Sequence, residues 1–293
     1  MPENTSAKTI VITGVTGSQG GAAARKLLND GWHVRGLTRN PEGKEARRLG
    51  SMGVELIQGD MGDKTALEHA FARAHGVYAV TDFFRNGVAK EILQGKLIAD
   101  IAKKSGVQHL VFSSVISANR KTGVPHFESK WIIEQHIEEL RISSTIIRPA
   151  VFMEDLTDKR YVPPANWGMI ARIAGRDTRI KWIAIEDIGS VVARVFSDPQ
   201  AFIGKKLSLA GDERSIAEAR EIFKKVDGKA PFRFAMPPWL FRRLVNNELV
   251  EMWLWFRHGE FDASVEETRK MLPGLMSMET WLRHKRADPG PRG

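Results

Sequence analysis

The chain has 293 residues, with 44 Lys+Arg against 35 Asp+Glu, a formal net charge of +9 and no cysteine. The missing thiols exclude disulfides, thiolate nucleophiles, cysteine zinc sites and thiol redox sensing together. The length suits one large α/β domain, or one with a small appendage, and buries a core without covalent staples. Apolar runs such as 183–185 and 252–256 fall far short of the ~20 residues that a bilayer span needs. The polar N-terminal stretch lacks a signal-peptide pattern. The expectation is an intracellular soluble protein with no membrane partner.

The positive charge is spread along the chain: residues 1–150 carry 20 basic and 15 acidic groups, and 151–293 carry 24 and 20. With no basic stripe interleaved with aromatics, no zinc-finger spacing and no recognition helix, direct nucleic-acid binding is not expected. Arg283, Lys285, Arg286 and Arg292, beside Asp288, Pro289 and Pro291, read as a solvated tail.

In chain order, a β-branched strand over 9–13 leads through glycine-rich sequence into an Ala/Leu helix ending at Asp30. Strands follow over 32–37, 54–57, 77–80, 110–112 and 143–147. Between them lie helices ending at Leu49 and over 64–74, 88–105 and 127–140. The 88–105 helix is read from Ile92, Leu93, Leu97, Ile98 and Ile101 at spacings near 3.6. Strand and helix alternating with short turns predict α/β architecture, a doubly wound parallel sheet of Rossmann type. The rhythm then fades into a smaller, mostly helical C-terminal part. Strands are read over 179–185 and 205–209, and helices over 186–196, 216–225, 237–257, 265–271 and 278–284. The predicted division is 1–152, with 179–200 returning to it, and 153–293.

Gly14-Val15-Thr16-Gly17-Ser18-Gln19-Gly20 follows the first strand and opens the first helix, the context that a dinucleotide fingerprint requires. Glycines there permit a tight turn and close approach to a pyrophosphate, and the helix N-terminus offers N–H groups and a positive dipole end. At the end of the second strand, where an acid would hold the 2′-hydroxyl of NAD, stands Arg39. A guanidinium suits a 2′-phosphate, so NADP(H) is the expected cofactor. Lys44, Arg47 and Arg48 lie beside Glu42 and Glu45, and read as helpers or as a solvated face. Asp60 and Met61 close the third strand, where an adenine ring is received. Asp60 also fits a helix N-cap role. Thr81, at the end of the fourth strand, can meet ribose or phosphate, and Phe83 and Phe84 can wall a nicotinamide or pack in the core.

Short-chain dehydrogenases carry a Ser after the fifth strand and Tyr-x-x-x-Lys on the next helix. This chain offers Ser113-Ser114 and Lys130, but His126 stands where the tyrosine would be, and Tyr78 and Tyr161 lie elsewhere. The chain resembles the NmrA-like branch of atypical short-chain dehydrogenases. The resemblance rests on Gly14 to Gly21, Thr38 to Pro41, Gln58-Gly59-Asp60, Gln94-Gly95-Lys96, His126-Phe127-x-x-Lys130, Ile147-Arg148-Pro149, Phe152-x-Glu154-Asp155-Leu156 and Glu279 to Leu282. Asp155 replaces the asparagine more usual there. That family includes NADPH-dependent reductases of quinones and dyes, and non-catalytic sensors that bind transcription factors or enzymes. The resemblance implies that Gly14 to Gly20, Arg39, Asp60, Met61, Thr81, Lys130, Pro149, Val151 and Phe152 hold the cofactor. The expected location is cytoplasmic, with the nucleus as a second compartment.

Hydride transfer belongs to the cofactor, and the protein must orient it and exclude water. Lys130 is read as the ribose ligand. His126 or Ser114 would assist protonation, since histidine exchanges a proton near neutral pH; His126 would otherwise cap its helix or bond a cofactor oxygen. The scattered histidines show no metal-ligand spacing. The expected partner is a small aromatic or conjugated carbonyl substrate, or else a protein regulated by cofactor occupancy. Trp239, Phe241, Trp253, Trp255 and Phe256 read as a substrate lid, a partner surface or core packing.

Overall fold

The computed structural model describes residues 8–158, 163–244, 247–258 and 260–287. Its elements run β1 (Thr9–Thr13), α1 (Ser18–Asn29), β2 (His33–Thr38), α2 (Lys44–Ser51), β3 (Glu55–Gln58), α3 (Lys64–Phe71), β4 (Gly76–Ala79), α4 (Phe83–Lys104), β5 (His109–Ser113), α5 (Pro125–Glu139) and β6 (Ser144–Pro149). There follow β7 (Val151–Phe152), α6 (Pro163–Ile173), β8 (Ile180–Ile183), α7 (Ile185–Ser197), α8 (Pro199–Phe202), β9 (Lys206–Leu209) and β10 (Asp212–Arg214). The chain continues with α9 (Ile216–Asp227), α10 (Pro238–Leu244), α11 (Asn247–Phe256), α12 (Val265–Met271) and α13 (Met278–Ala287). The described chain divides into two compact units, one of 8–115, 128–148 and 188–207, the other of 116–127, 149–187 and the described residues from 208 on. The sequence reading draws its boundary at 152 and its return over 179–200.

Seven strands form the main sheet in the order β3-β2-β1-β4-β5-β6-β9. The registers from β3 through β6 are parallel. The order reverses direction between β1 and β4, the switch point at which ligands bind in such sheets. The central strands are apolar on both faces, as helices on both sides demand: Ile10, Val11, Ile12, Val77, Leu110, Val111 and Ile147 are fully buried. Helix α1 presents Ala22, Ala23, Ala24 and Leu27 to this core. Glycine allows the closest approaches. A Cβ on Gly36 would fall 2.6 Å from Val15, so β2 lets the glycine loop lie flat against it.

Helix α4 begins earlier than the predicted position 88, but Gly87 inside it has φ 73° and ψ 160°, which is not helical. The periodic helix therefore does start at Val88, preceded by a separate turn bearing Phe83 and Phe84.

The second unit contains a three-stranded sheet in the order β10-β8-β7, of which β7 and β10 were not anticipated. Trp182 on β8 is fully buried. Phe223 of α9 meets Trp167 of α6 edge-on and lies tilted against Trp281 of α13, with centroids 4.9 and 6.2 Å apart. The half-buried Glu154 carboxylate accepts Ile185 N–H at 3.2 Å and Trp281 Nε1–H at 2.9 Å. Burial pushes its pKa up, against the pull of these hydrogen bonds and of Lys285.

One expectation is corrected here. The basic end is not loose through Ala287: in α13, Arg283 pairs with Glu279 at 2.8 Å, Arg286 with Asp227 at 2.7 Å, and Lys285 donates to Thr157 at 2.6 Å. Arg292 and Asp288 lie outside the described residues. Over the helix expected at 237–257 the structure describes α10 and α11, and Val245 and Asn246 lie outside the described residues. Phe241, Trp253 and Phe256 of these helices are core residues, whereas Trp239 is 66 % exposed.

Candidate cofactor site

In the first unit, the loop from β1 to α1 is shaped by contacts that only glycine permits. Gly14 has φ +63°, and a Cβ on Gly20 would lie 2.3 Å from the Gly14 carbonyl oxygen. Gly17 N–H donates to that same oxygen at 2.9 Å. Gly17 occupies the N-cap of α1, no side chain caps the helix, and its first turn holds no acidic residue. The side chain of Gln19 faces inward, where its Oε1 accepts Ser113 Oγ–H at 2.8 Å and Tyr78 O–H at 3.2 Å.

At the end of β2, Thr38 Oγ1 accepts Asn40 N–H at 3.3 Å, and Asn40 Oδ1 accepts Glu42 N–H at 3.1 Å. This turn leaves Arg39 exposed, and no described residue pairs with it. Its neighbours differ. Arg47 sits 3.3 Å from Glu42, and Arg48 sits 2.6 Å from Glu45.

After β3, Asp63 caps α3 by accepting Thr65 and Ala66 N–H. Asp60 does not cap it. Its Oδ1 accepts Gly62 N–H at 2.8 Å and Gln94 Nε2–H at 3.2 Å. Met61 packs on the core shared by β1, β2, α3, β4, α4, β5, α5 and β6.

A network that composition did not suggest joins β4, α4 and α5. Lys130 Nζ donates to Thr81 Oγ1 at 2.6 Å and lies 2.9 Å from Glu91 Oε1. Thr81 donates its own proton to Glu91 Oε1 at 2.8 Å, and Ser129 donates to Glu91 Oε2. Glu91 is fully buried. Burial alone would raise its pKa, yet the Lys130 charge and the hydrogen bonds from Ser129, Lys130 and Thr81 hold the carboxyl below its usual value.

Ser114 belongs to a second buried network. Its hydroxyl donates to Glu134, which accepts a fork from Arg148 at 3.0 and 2.6 Å. Tyr78 is wholly buried, and burial drives its phenol pKa well above the ordinary tyrosine value. Tyr161 lies outside the described residues.

The remaining expected residues lie in the second unit. His126 is 7 % exposed, with Nδ1 3.5 Å from Glu248 Oε2 and its ring edge-on to Phe127. The Pro149 carbonyl accepts Ile116 N–H at 3.0 Å. Val151 and Phe152 pair with Trp182 and Ile183 in the small sheet. Phe83 and Phe84, of the first unit, have ring centroids 3.9 Å apart, and Phe84 is 52 % exposed. Among the described residues, no helix is long and apolar enough to cross a membrane.

Sequence reasoning missed Glu91 and Glu134. The signal was phase: Glu91, Gln94, Ile98 and Ile101 share the buried face of α4, whereas Leu93 is 69 % exposed. An acid in step with a buried face needs a cation, and Lys130 supplies it.

A switch point, a glycine cradle and a buried lysine define a class, that of dinucleotide-binding α/β folds. Residues 6–282 match the NmrA-like family, and the chain belongs to it. It is 31 % identical over 257 residues to the NmrA-like family domain-containing oxidoreductase lnaB of Aspergillus flavus, covering 79 % of this chain and 77 % of that one. In fold it is similar to NmrA, a negative transcriptional regulator solved with NADP (TM-score 0.75, 22 % identity, 94 % of each chain). It is also similar to an NADPH-dependent quinone oxidoreductase of Escherichia coli solved with NADPH (TM-score 0.77, 19 % identity, 94 % of this chain and 99 % of that one).

Proposed function

We propose that the first unit binds NADP(H) and that the protein is an NADPH-dependent reductase of an aromatic or conjugated carbonyl compound. The observation that carries the cofactor reading is the cradle at Gly14, Gly17 and Gly20, where Gly14 is left-handed, a Cβ on Gly20 would collide with the Gly14 carbonyl, and α1 has no side-chain cap. Such a helix end receives a pyrophosphate with its own N–H groups. Arg39, with no acidic partner among the described residues, would hold the 2′-phosphate by a charge-assisted bond. Asp60 and Met61 would flank the adenine, with one Asp60 oxygen already engaged by Gly62 and Gln94. Thr81 and Lys130 would hold the nicotinamide ribose. When bound, NADPH supplies the hydride.

For the accompanying proton, the reading keeps His126. Ser114 already directs its proton to Glu134. Quinone-type acceptors need little from an acid, because their reduced forms take a proton from water. A second reading, a non-catalytic NADP(H) sensor of a protein partner, is favoured by one observation. The residue one helical turn before Lys130 is His126, and Tyr78 is locked on Gln19.

Titration of the purified chain with NADP⁺ and NAD⁺ tests the cofactor reading. Arg39→Ala should weaken NADP⁺ by roughly 10- to 100-fold, the equivalent of losing one charge-assisted bond, and leave NAD⁺ unchanged; equal losses would remove Arg39 from the site. NADPH oxidation across a panel of quinones, dyes and enones tests the reductase reading, and no turnover with any of them would sink it. The sensor reading fails if partner binding is equal with NADP⁺, with NADPH and without either.

A further inference from the structure

We propose that Glu91 is the positioning residue of the nucleotide site, fixing the Lys130 ammonium so that one N–H remains for the nicotinamide ribose. The inference rests on the NADP(H) reading above and assigns a role to a residue that the reading does not contain.

An ammonium has three N–H donors and no acceptor. Thr81 Oγ1 takes one donor at 2.6 Å, Glu91 Oε1 takes another at 2.9 Å, and no other described residue accepts from Lys130. Thr81 cannot hold the lysine alone, because its hydroxyl is itself oriented by donating to Glu91 at 2.8 Å. Glu91 thus closes a three-membered ring of hydrogen bonds, and its second oxygen is held by Ser129, the residue before Lys130. The carboxylate is completely buried, so its charge acts at full strength on a lysine that is itself only 8 % exposed.

The ring is also tied to the glycine loop. Thr81 follows Val80, whose N–H donates to Thr13 Oγ1 at 2.9 Å and whose carbonyl accepts the Thr13 hydroxyl at 3.1 Å. Thr13 precedes Gly14. Glu91 therefore places the ammonium relative to the same loop that would cradle the pyrophosphate. A lysine on a flexible four-carbon stem has no such fixed place on its own.

The test is a thermodynamic cycle on the full chain, with NADP⁺ affinity read by intrinsic tryptophan fluorescence. The variants are Glu91→Gln, Lys130→Met and the pair combined. If Glu91 acts through Lys130, Glu91→Gln alone weakens NADP⁺ about tenfold and Lys130→Met weakens it at least as much. The double variant is then no weaker than Lys130→Met. A general structural role would instead multiply the two losses, and that result overturns the proposal, as does unchanged affinity in Glu91→Gln. Should Glu91→Gln fail to fold, Ser129→Ala loosens the same carboxylate. It should cost a few-fold in the wild-type background and nothing in the Lys130→Met background, and any other pattern overturns the proposal. A wild-type chain that binds neither NADP⁺ nor NADPH removes the site reading and this inference together. That failure is distinct from one in which the wild type binds and the cycle is additive.

Discussion

The first unit contains two buried carboxylate–cation pairs that look equivalent in composition and differ in what they leave over. Glu91 and Glu134 are both fully buried, and each also accepts a serine hydroxyl. Glu134 faces Arg148, whose planar fork fills both carboxylate oxygens while its guanidinium lies 5.9 Å over the Trp131 ring. That pair is closed; it staples α5 to β6. Glu91 faces Lys130, a compact charge with rotatable donors, and the geometry leaves one of them over. Arginine serves a fixed bidentate contact and lysine a point charge that can reach a ligand. The difference in cation, more than in burial, separates a structural clasp from a binding group.

The sharpest way to break this comparison is to open the closed pair. Arg148→Met should destabilise the fold by about 3–5 kcal/mol, because it strands a buried Glu134 charge. Unfolding in denaturant measures the loss, and adding Glu134→Leu should recover much of it. In whatever fraction folds, NADP⁺ affinity should stay within about twofold of wild type, since neither side chain of the clasp is assigned a contact with the ligand and independent groups add. A large affinity loss in folded Arg148→Met would erase the distinction between the two pairs.

A third buried polar group shows that a spare atom alone does not make a site. His109, 1 % exposed at the start of β5, has its Nε2 2.8 Å from Thr145 Oγ1. Thr145 gives its own proton to the Phe202 carbonyl at 2.8 Å, so Nε2 must be the protonated nitrogen and the donor. Nδ1 is then bare and buried, with no hydrogen-bond partner among the described residues. Burial, with a smaller push from His75, lowers the His109 pKa from 6.5 to about 4. The native state favours neutral imidazole, so its contribution to stability is complete above pH 6.5. It is lost as the pH falls toward 4, where the unfolded chain takes up a proton that the folded chain refuses. Between pH 7 and pH 4.5 this amounts to about 2–3 kcal/mol. His109→Gln keeps a donor to Thr145 and should flatten that part of the acid profile, with cofactor affinity untouched. An unchanged acid profile would mean that His109 does not titrate as its surroundings require.

These pairs also mark how far the sequence could be read. The parallel α/β alternation, the glycine loop and Arg39 are local patterns, visible in a few consecutive residues, and the sheet and loop follow them. Gly87 even places the start of the long α4 periodicity where the apolar residues begin. The partners of Lys130 are not local. Glu91 lies 39 positions upstream, and only the β4–α4–α5 arrangement joins them. Apolar counting also drew in Leu93, which is exposed, and passed over Glu91 and Gln94, which share the buried phase. The same blindness applied at the end of the chain, where Arg286 meets Asp227 across 59 positions. In the second unit, β7 and β10 are two- and three-residue strands, too short to show any period.

The smallest expected effect tests the comparison at the surface, between arginines a few residues apart. Arg47 is paired with Glu42, and their side chains are 68 % and 78 % exposed. An ion pair in that much water contributes about 0.5 kcal/mol or less to stability. Its positive charge is also offset locally, so a nearby phosphate gains little from it. Arg39 is exposed as well but has no such neighbour. Arg47→Ala should therefore change NADP⁺ affinity by less than about threefold at 0.15 M ionic strength, where screening acts within ~8 Å. Lowering the salt should widen that small loss slightly while the Arg39→Ala loss persists at both salt levels, because a direct bond to phosphate is screened less than a field. Should Arg47→Ala match Arg39→Ala, the 2′-phosphate would be read by the charge of the whole α2 face, and Arg39, which no described residue pairs, would lose its special place.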